Sequence, residues 1–233
     1  MTYQNNKTAS QPHYIGHRAR LKDKFLSSES SGLNDYELLE LLLFQAIPRR
    51  DVKPLAKELL QNFGSFKQLI NAEKKNILAI EDAKESVFLQ FKLLREVLNR
   101  IFYDEIHKKN IISSWSALLE YLQFNMGCLK LEQFRVLFLN KKNILLCDEV
   151  MANGTIDQTP VYVREIVKKA LFHEAGAIIL VHNHPSGSSK PSNADIQLTK
   201  QIVDACKSVN VTVHDHVIIV NNDYYSFKTN MLL

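Results

Sequence analysis

Ala177-Ile178-Ile179-Leu180-Val181-His182-Asn183-His184-Pro185, followed by Ser192-Asn193-Ala194-Asp195, is the stretch whose reading decides the fold. Residues 177–181 are an unbroken apolar run, the pattern of a buried strand. On a strand, side chains at i and i+2 share a face. His182 and His184 therefore leave the strand end side by side, as two ligands of one metal must. Asp195 follows a loop rich in Pro, Ser and Gly and can fold back to supply an oxygen ligand. Two histidines and one carboxylate, with a fourth position open, make up a catalytic zinc site rather than a closed structural one. Two histidines at a polar strand end would be weak on their own; the trailing Asp195 gives the pattern its weight.

Outward from this stretch the chain alternates strand and helix signals. Phe134–Leu139 and Ile144–Val150 read as strands around the turn-like Asn140-Lys141-Lys142-Asn143, and Asn153-Gly154 marks another turn. Ser114–Phe124, Tyr162–Phe172 and Ser192–Val209 read as helices, and Val211–Val220 as a last β-branched strand. Strands mixed with helices predict an α/β or α+β layer fold. Before Lys108 the pattern is helical. Asn34-Asp35-Tyr36-Glu37 resembles a capping box, Asp51 and Pro54 flag a further helix start, and Phe63-Gly64-Ser65 breaks it. Glu85–Tyr103 is a long amphipathic stretch. The expected organisation is a disordered tail over 1–12, an all-α domain over 13–108 and the sheet-containing domain over 109–233.

His-x-His-Pro with Ser-x-x-Asp resembles the JAMM (MPN-plus, JAB-domain) metalloproteases. Val181–Gly187 with Pro191–Asp195, Asn153-Gly154-Thr155, Gln158–Tyr162 and Asp215-His216 are similar to the RadC branch of that family. The resemblance implies a mixed sheet flanked by helices, similar to the cytidine-deaminase fold, and a zinc-dependent hydrolase acting on a peptide or isopeptide bond of a peptide or protein substrate. It implies Zn²⁺ held by His182, His184 and Asp195. It also implies a Ser192 hydroxyl that helps to stabilise the oxyanion of a tetrahedral intermediate. Ser192-x-x-Asp195 is equally a near capping box for the helix that follows.

Zinc hydrolysis needs a general base near the metal. Glu132, Glu149, Glu165 and Glu174 are candidates by position. The resemblance selects Glu132, because Leu131–Asn140 is similar to the family element that carries the catalytic Glu. His214-Asp215-His216 is a rival His-x-His, but it sits inside a continuous strand and lacks a trailing carboxylate loop. His216 is expected beside the ligands or packed, and His214 is incidental. His173 is expected at the surface, and Cys147 and Cys206, in apolar segments, as core thiols. Trp115 is expected to be packed.

The chain of 233 residues is 45% hydrophobic, enough for a packed core, and carries a net charge of +4. That charge is too small to identify a nucleic-acid binder. Three scattered cysteines exclude a disulfide framework and a thiolate zinc site with Cys-x-x-Cys spacing. The polar start and short apolar runs predict no signal peptide and no membrane span, hence a cytoplasmic protein. In the N-terminal half, RadC proteins carry a helix-hairpin-helix-like element whose Gly-x-Gly turn approaches a DNA phosphate. Here Leu78–Lys84 matches that element in degenerate form, with Glu81 and Asp82 and neither glycine. Weak, non-specific DNA contact through Arg18, Arg20, Lys22 and Lys24 is the remaining expectation, against a solvated helix face. The competing reading of the whole chain is a non-enzymatic DNA-repair or replication accessory using the domain as an interaction module. A deaminase is disfavoured by the lack of His-x-Glu with Pro-Cys-x-x-Cys.

Overall fold

A computed structural model describes residues 16–27, 32–154 and 161–233. The expected tail over 1–12 and the motif residues over 155–160 lie outside the described residues. The chain divides into two compact units, Met1–Arg95 and Glu96–Leu233. The division falls inside a long helix, whereas the change in sequence character at Lys108 marks the end of that helix.

The first unit is helical: α1 (His17–Ser27), α2 (Asp35–Ala46), α3 (Lys53–Phe63), α4 (Phe66–Ile70), α5 (Lys74–Leu78) and the start of α6 (Glu85–His107). Local sequence sets the boundaries. The Asn34 amide donates to Glu37 Oε2 at 2.9 Å, opening α2 as the capping box predicts. Gly64 closes α3 with φ 76°, a left-handed value that a Cβ disfavours. Leu39, Leu43, Leu55, Leu59, Leu69, Ile77, Val87 and Phe91 form the core. In the turn between α5 and α6, Asp82 takes φ 66°, and its carboxylate meets Arg50 in two hydrogen bonds of 2.7 and 2.9 Å. The turn has the left-handed backbone of a glycine without the glycine.

The second unit continues with α7 (Trp115–Met126), β1 (Gln133–Leu139), β2 (Leu145–Asn153), α8 (Val163–Phe172), β3 (Ala177–Asn183), α9 (Asn193–Ser208), β4 (Thr212–Val220) and β5 (Asp223–Ser226). The five strands form one mixed sheet in the order β2-β1-β3-β4-β5. β1 is antiparallel to β2 and β3, β3 and β4 are parallel, and β5 returns antiparallel on β4. The short β5 carries no alternation signal that separates it from a turn. It is tied to β4 by Asp215, which accepts from the Ser226 hydroxyl and from the Lys228 amide at 2.9 Å.

Strand parity builds two core layers. Leu137, Ile179, Val181, Val217 and Ile219 meet Leu118, Leu122 and Met126 of α7. Phe134, Val136, Phe138, Ile178 and Leu180 meet Ile166 and Ala170 of α8 and Ile202 and Cys206 of α9. All seven residues of β3 are buried, which explains why it reads as an apolar run rather than an alternating one. Parity also sends His182 to the α8–α9 face and Asn183 to the other. No helix among the described residues is long and apolar enough to cross a membrane.

Candidate metal centre

His182 is the penultimate residue of β3, with its ring buried under Phe134, the two centroids 6.1 Å apart. His184 lies just past the strand end. Its amide donates to Ile219 O at 3.0 Å, and a turn at Gly187, φ 85°, brings Ser188 O to 2.7 Å from His184 Nδ1. A carbonyl only accepts, so Nδ1 carries the hydrogen and Nε2 offers a lone pair.

The tautomer of His182 follows from a longer chain of partners. The Thr199 hydroxyl donates to Asp195 O at 2.5 Å and lies 2.6 Å from His216 Nδ1. Its single hydrogen is used, so His216 Nδ1 donates to it. Burial holds the His216 imidazole well below its ordinary pKa and keeps it neutral. His216 Nε2 is then an acceptor, 2.8 Å from His182 Nδ1. His182 is thereby fixed with Nδ1 protonated and Nε2 free. Burial lowers its pKa to about 4.

The two Nε2 lone pairs face each other at 2.9 Å. Asp195 Oδ1 is 3.5 Å from His182 Nε2, and Oδ2 is 3.7 Å from His184 Nε2. This donor set fits a metal. Nitrogen and oxygen ligands at zinc bond lengths and tetrahedral angles stand about 3.4 Å apart. Lone pairs so arranged repel unless a cation sits among them. Without a metal a proton on His184 takes that place, and the nearby Asp195 carboxylate raises the His184 pKa, helped by Ser188 O. Burial works to raise the Asp195 carboxyl, but His184, His182 and the Ser192 donors outweigh it and hold it far below the usual range.

Asp195 is held by the start of α9. The Ser192 amide and hydroxyl both donate to Asp195 Oδ2 at 2.7 Å, and the Asp195 amide returns to Ser192 Oγ at 3.1 Å. This is the reciprocal box that Ser-x-x-Asp foreshadows. The Ser192 hydroxyl is committed to Asp195, and contacting an oxyanion requires it to rotate away from that carboxylate.

Glu132 precedes β1 and reaches the same place, with Oε1 3.8 Å from His184 Nε2. It forms a set with His182 and His184 whose ligand atoms lie within 4.8 Å of one another. Asp195 approaches both histidines, one oxygen to each, whereas of the two Glu132 is paired here with His184 alone. Asn183, between the two histidines, positions Glu132 from the opposite face. Its Oδ1 accepts from the Gln133 amide at 2.9 Å and its Nδ2 donates to Leu131 O at 3.1 Å. The Gly154 amide donates to Glu132 O at 2.8 Å. No sequence spacing assigns a role to Asn183 or Thr199; both are buried polar side chains, and burial demands that their hydrogen bonds be met.

The other candidates lie elsewhere. Glu149 pairs with Lys169 and His173, Glu165 with Arg164 and Lys168, and Glu174 is exposed beyond α8. His214 falls at the register shift of β4 on β3, and its Nε2 is 2.6 Å from Asn143 Oδ1. Cys206 is a core thiol, pushed up to about 11 by burial. Cys147 is not: it is only partly buried, because β2 is an edge strand. His173 is likewise half-buried rather than on the surface.

The family model for the RadC-like JAB domain matches residues 112–232, which span the whole sheet and every residue of this centre. A helical first unit followed by a five-stranded mixed sheet with flanking helices agrees with that match. The chain belongs to the RadC-like JAB domain family.

Proposed function

We propose that the second unit is a zinc-dependent hydrolase of the peptidase class, acting on a peptide or isopeptide amide. The supporting observation is the proton arrangement at the centre, in which partners fix both Nε2 atoms as lone pairs that face each other beside an anionic Asp195. A divalent cation held there by His182, His184 and Asp195 supplies a water of lowered pKa and a Lewis acid for a carbonyl oxygen. The chain does the rest. Glu132 takes the proton of the attacking water and returns it to the leaving amine nitrogen. Asn183 and Gly154 hold the Glu132 backbone in place for both transfers. His216 and Thr199 keep His182 in the ligating tautomer, the supporting role that such partners play around metals. Ser192 orients Asp195. The restriction to amides rests on family membership, since the donor set alone specifies only metal-assisted hydrolysis.

The test separates base from ligand. Glu132→Gln is expected to keep its metal and to lose amide hydrolysis by about 10²–10⁴-fold, assayed on a peptide library with cleavage read by mass spectrometry. Loss of metal from Glu132→Gln makes Glu132 a ligand and overturns the role assignment. Full activity in that variant moves the base elsewhere.

A further inference from the structure

Away from that centre, β2 and the end of α8 gather a second set of metal-binding side chains. Cys147 and Glu149 stand two residues apart on β2 and share the face turned to α8. Their β1 neighbours Phe138 and Val136 belong to the core layer under α8 and α9. His173 caps α8, and its ring lies over Phe138 with centroids 5.0 Å apart. Ligand atoms of Cys147, Glu149 and His173 all lie within 4.8 Å of one another. His173 Nε2 is 2.5 Å from Glu149 Oε1, and Cys147 Sγ is 3.8 Å from the same oxygen. The other oxygen, Oε2, receives Lys169 Nζ at 2.8 Å.

An ion-pair network accounts for Glu149 with Lys169 and His173. It does not account for the thiol, which donates only a weak hydrogen bond to the carboxylate at that distance. The division of Glu149 is informative: one oxygen faces the lysine, and the other faces sulfur and imidazole. We propose that Cys147, Glu149 and His173 form a second site for a divalent cation of the zinc class, which pins edge strand β2 to the end of α8. Sulfur, nitrogen and oxygen donors together suit a borderline cation, whereas magnesium and calcium take oxygen. Lys169 on Oε2 is the outer hydrogen bond that a ligating carboxylate commonly carries. On binding, the cation replaces the thiol proton, which leaves to solvent.

The centre at His182 and His184 contains no sulfur, so the two sites separate spectroscopically. The full chain, stripped of metal, is titrated with Co²⁺ and followed for the thiolate-to-cobalt charge-transfer band in the near ultraviolet. The band is expected in the unmodified chain and in His182→Ala/His184→Ala, and absent from Cys147→Ser. Cys147→Ser nearly conserves volume at a half-buried position and is expected to lose one bound ion while keeping the other. His173→Gln, made independently, is expected to weaken the band-forming site at least tenfold. Absence of a thiolate band from the unmodified chain overturns the proposal, as does a band that persists in Cys147→Ser. Neither result bears on the hydrolase reading.

Discussion

Asn183 shows how much of a site depends on one side chain that does no chemistry. It is buried, and both ends of its amide are spent on the backbone either side of Glu132. Asn183→Ala leaves the Gln133 amide and Leu131 carbonyl without those partners, a loss of about 1–3 kcal/mol. We expect metal content to be retained, because His182 and His184 lie outside this contact. Amide hydrolysis is expected to fall through kcat, since the base is displaced rather than removed. An unchanged kcat alongside lowered stability, measured by denaturant titration, makes Asn183 purely structural. Thr199→Val breaks a different link. Removing the hydroxyl frees His216 to switch tautomer, and His182 loses its enforced lone pair. Weaker metal affinity with little change in kcat at saturating metal is expected, by about 10–100-fold as for other outer partners of ligands. Competition against a chromogenic chelator measures it.

Among the elements, α2 carries the clearest local signal and a pH dependence of known sign. The Asn34 amide hydrogen bond, then Lys24, holds the Glu37 carboxyl below its ordinary pKa of 4.5. A carboxylate depressed in the folded state stabilises that state above its unfolded pKa, and the contribution is lost as pH falls through the folded value. Glu37→Ala is expected to cost about 0.5–2 kcal/mol at neutral pH, as cap losses do. The gap between variant and unmodified chain is expected to close as the pH drops well below 4.5, in urea titrations across a pH series. A gap that stays constant in acid assigns the loss to packing. On the other unit, α9 begins with the same device, yet there the box has a second task because its carboxylate faces two histidines. The local pattern of residues is the same in both; only the neighbours differ.

At the scale of the whole molecule, Arg18 and Lys24 of α1 are engaged within the first unit. The Arg18 guanidinium donates to the carbonyls of Phe44, Ile47 and Arg50 and lies 4.4 Å over the Phe44 ring, closing the end of α2. Lys24 pairs with Glu37. Arg50 and Asp82 neutralise each other in the turn before α6. With a net charge of only +4 on the chain, DNA binding is expected to stay in the non-specific range of roughly 10⁻⁴–10⁻⁶ M at physiological salt. Arg18→Ala is expected to lower the thermal midpoint more than it changes binding. Fluorescence anisotropy on single- and double-stranded oligonucleotides over a salt series decides. Nanomolar affinity that survives neutralising Arg18, Arg20, Lys22 and Lys24 favours a nucleic-acid accessory over a hydrolase.

The sequence alone determined the strand–loop–helix frame around the centre. Strand periodicity aims His182 and His184 to one side, and Ser192 with Asp195 starts a helix because capping is a local matter of free amide groups. The buried strand was equally legible, since residues 177–181 of β3 are an unbroken apolar run. Only tertiary structure decided which carboxylate meets the histidines. Glu132 precedes β1 and Glu149 lies within β2, and the register of β1 on β3 carries one to the centre while the register of β2 on β1 carries the other to His173. The same long-range pairing set His216 against His182 and joined Cys147 to residues that have no pattern in common with it. Sequence spacing encodes what lies within a turn or along one strand. Contacts between strands depend on registers fixed by the packing of the whole sheet, and no short stretch of chain contains that information.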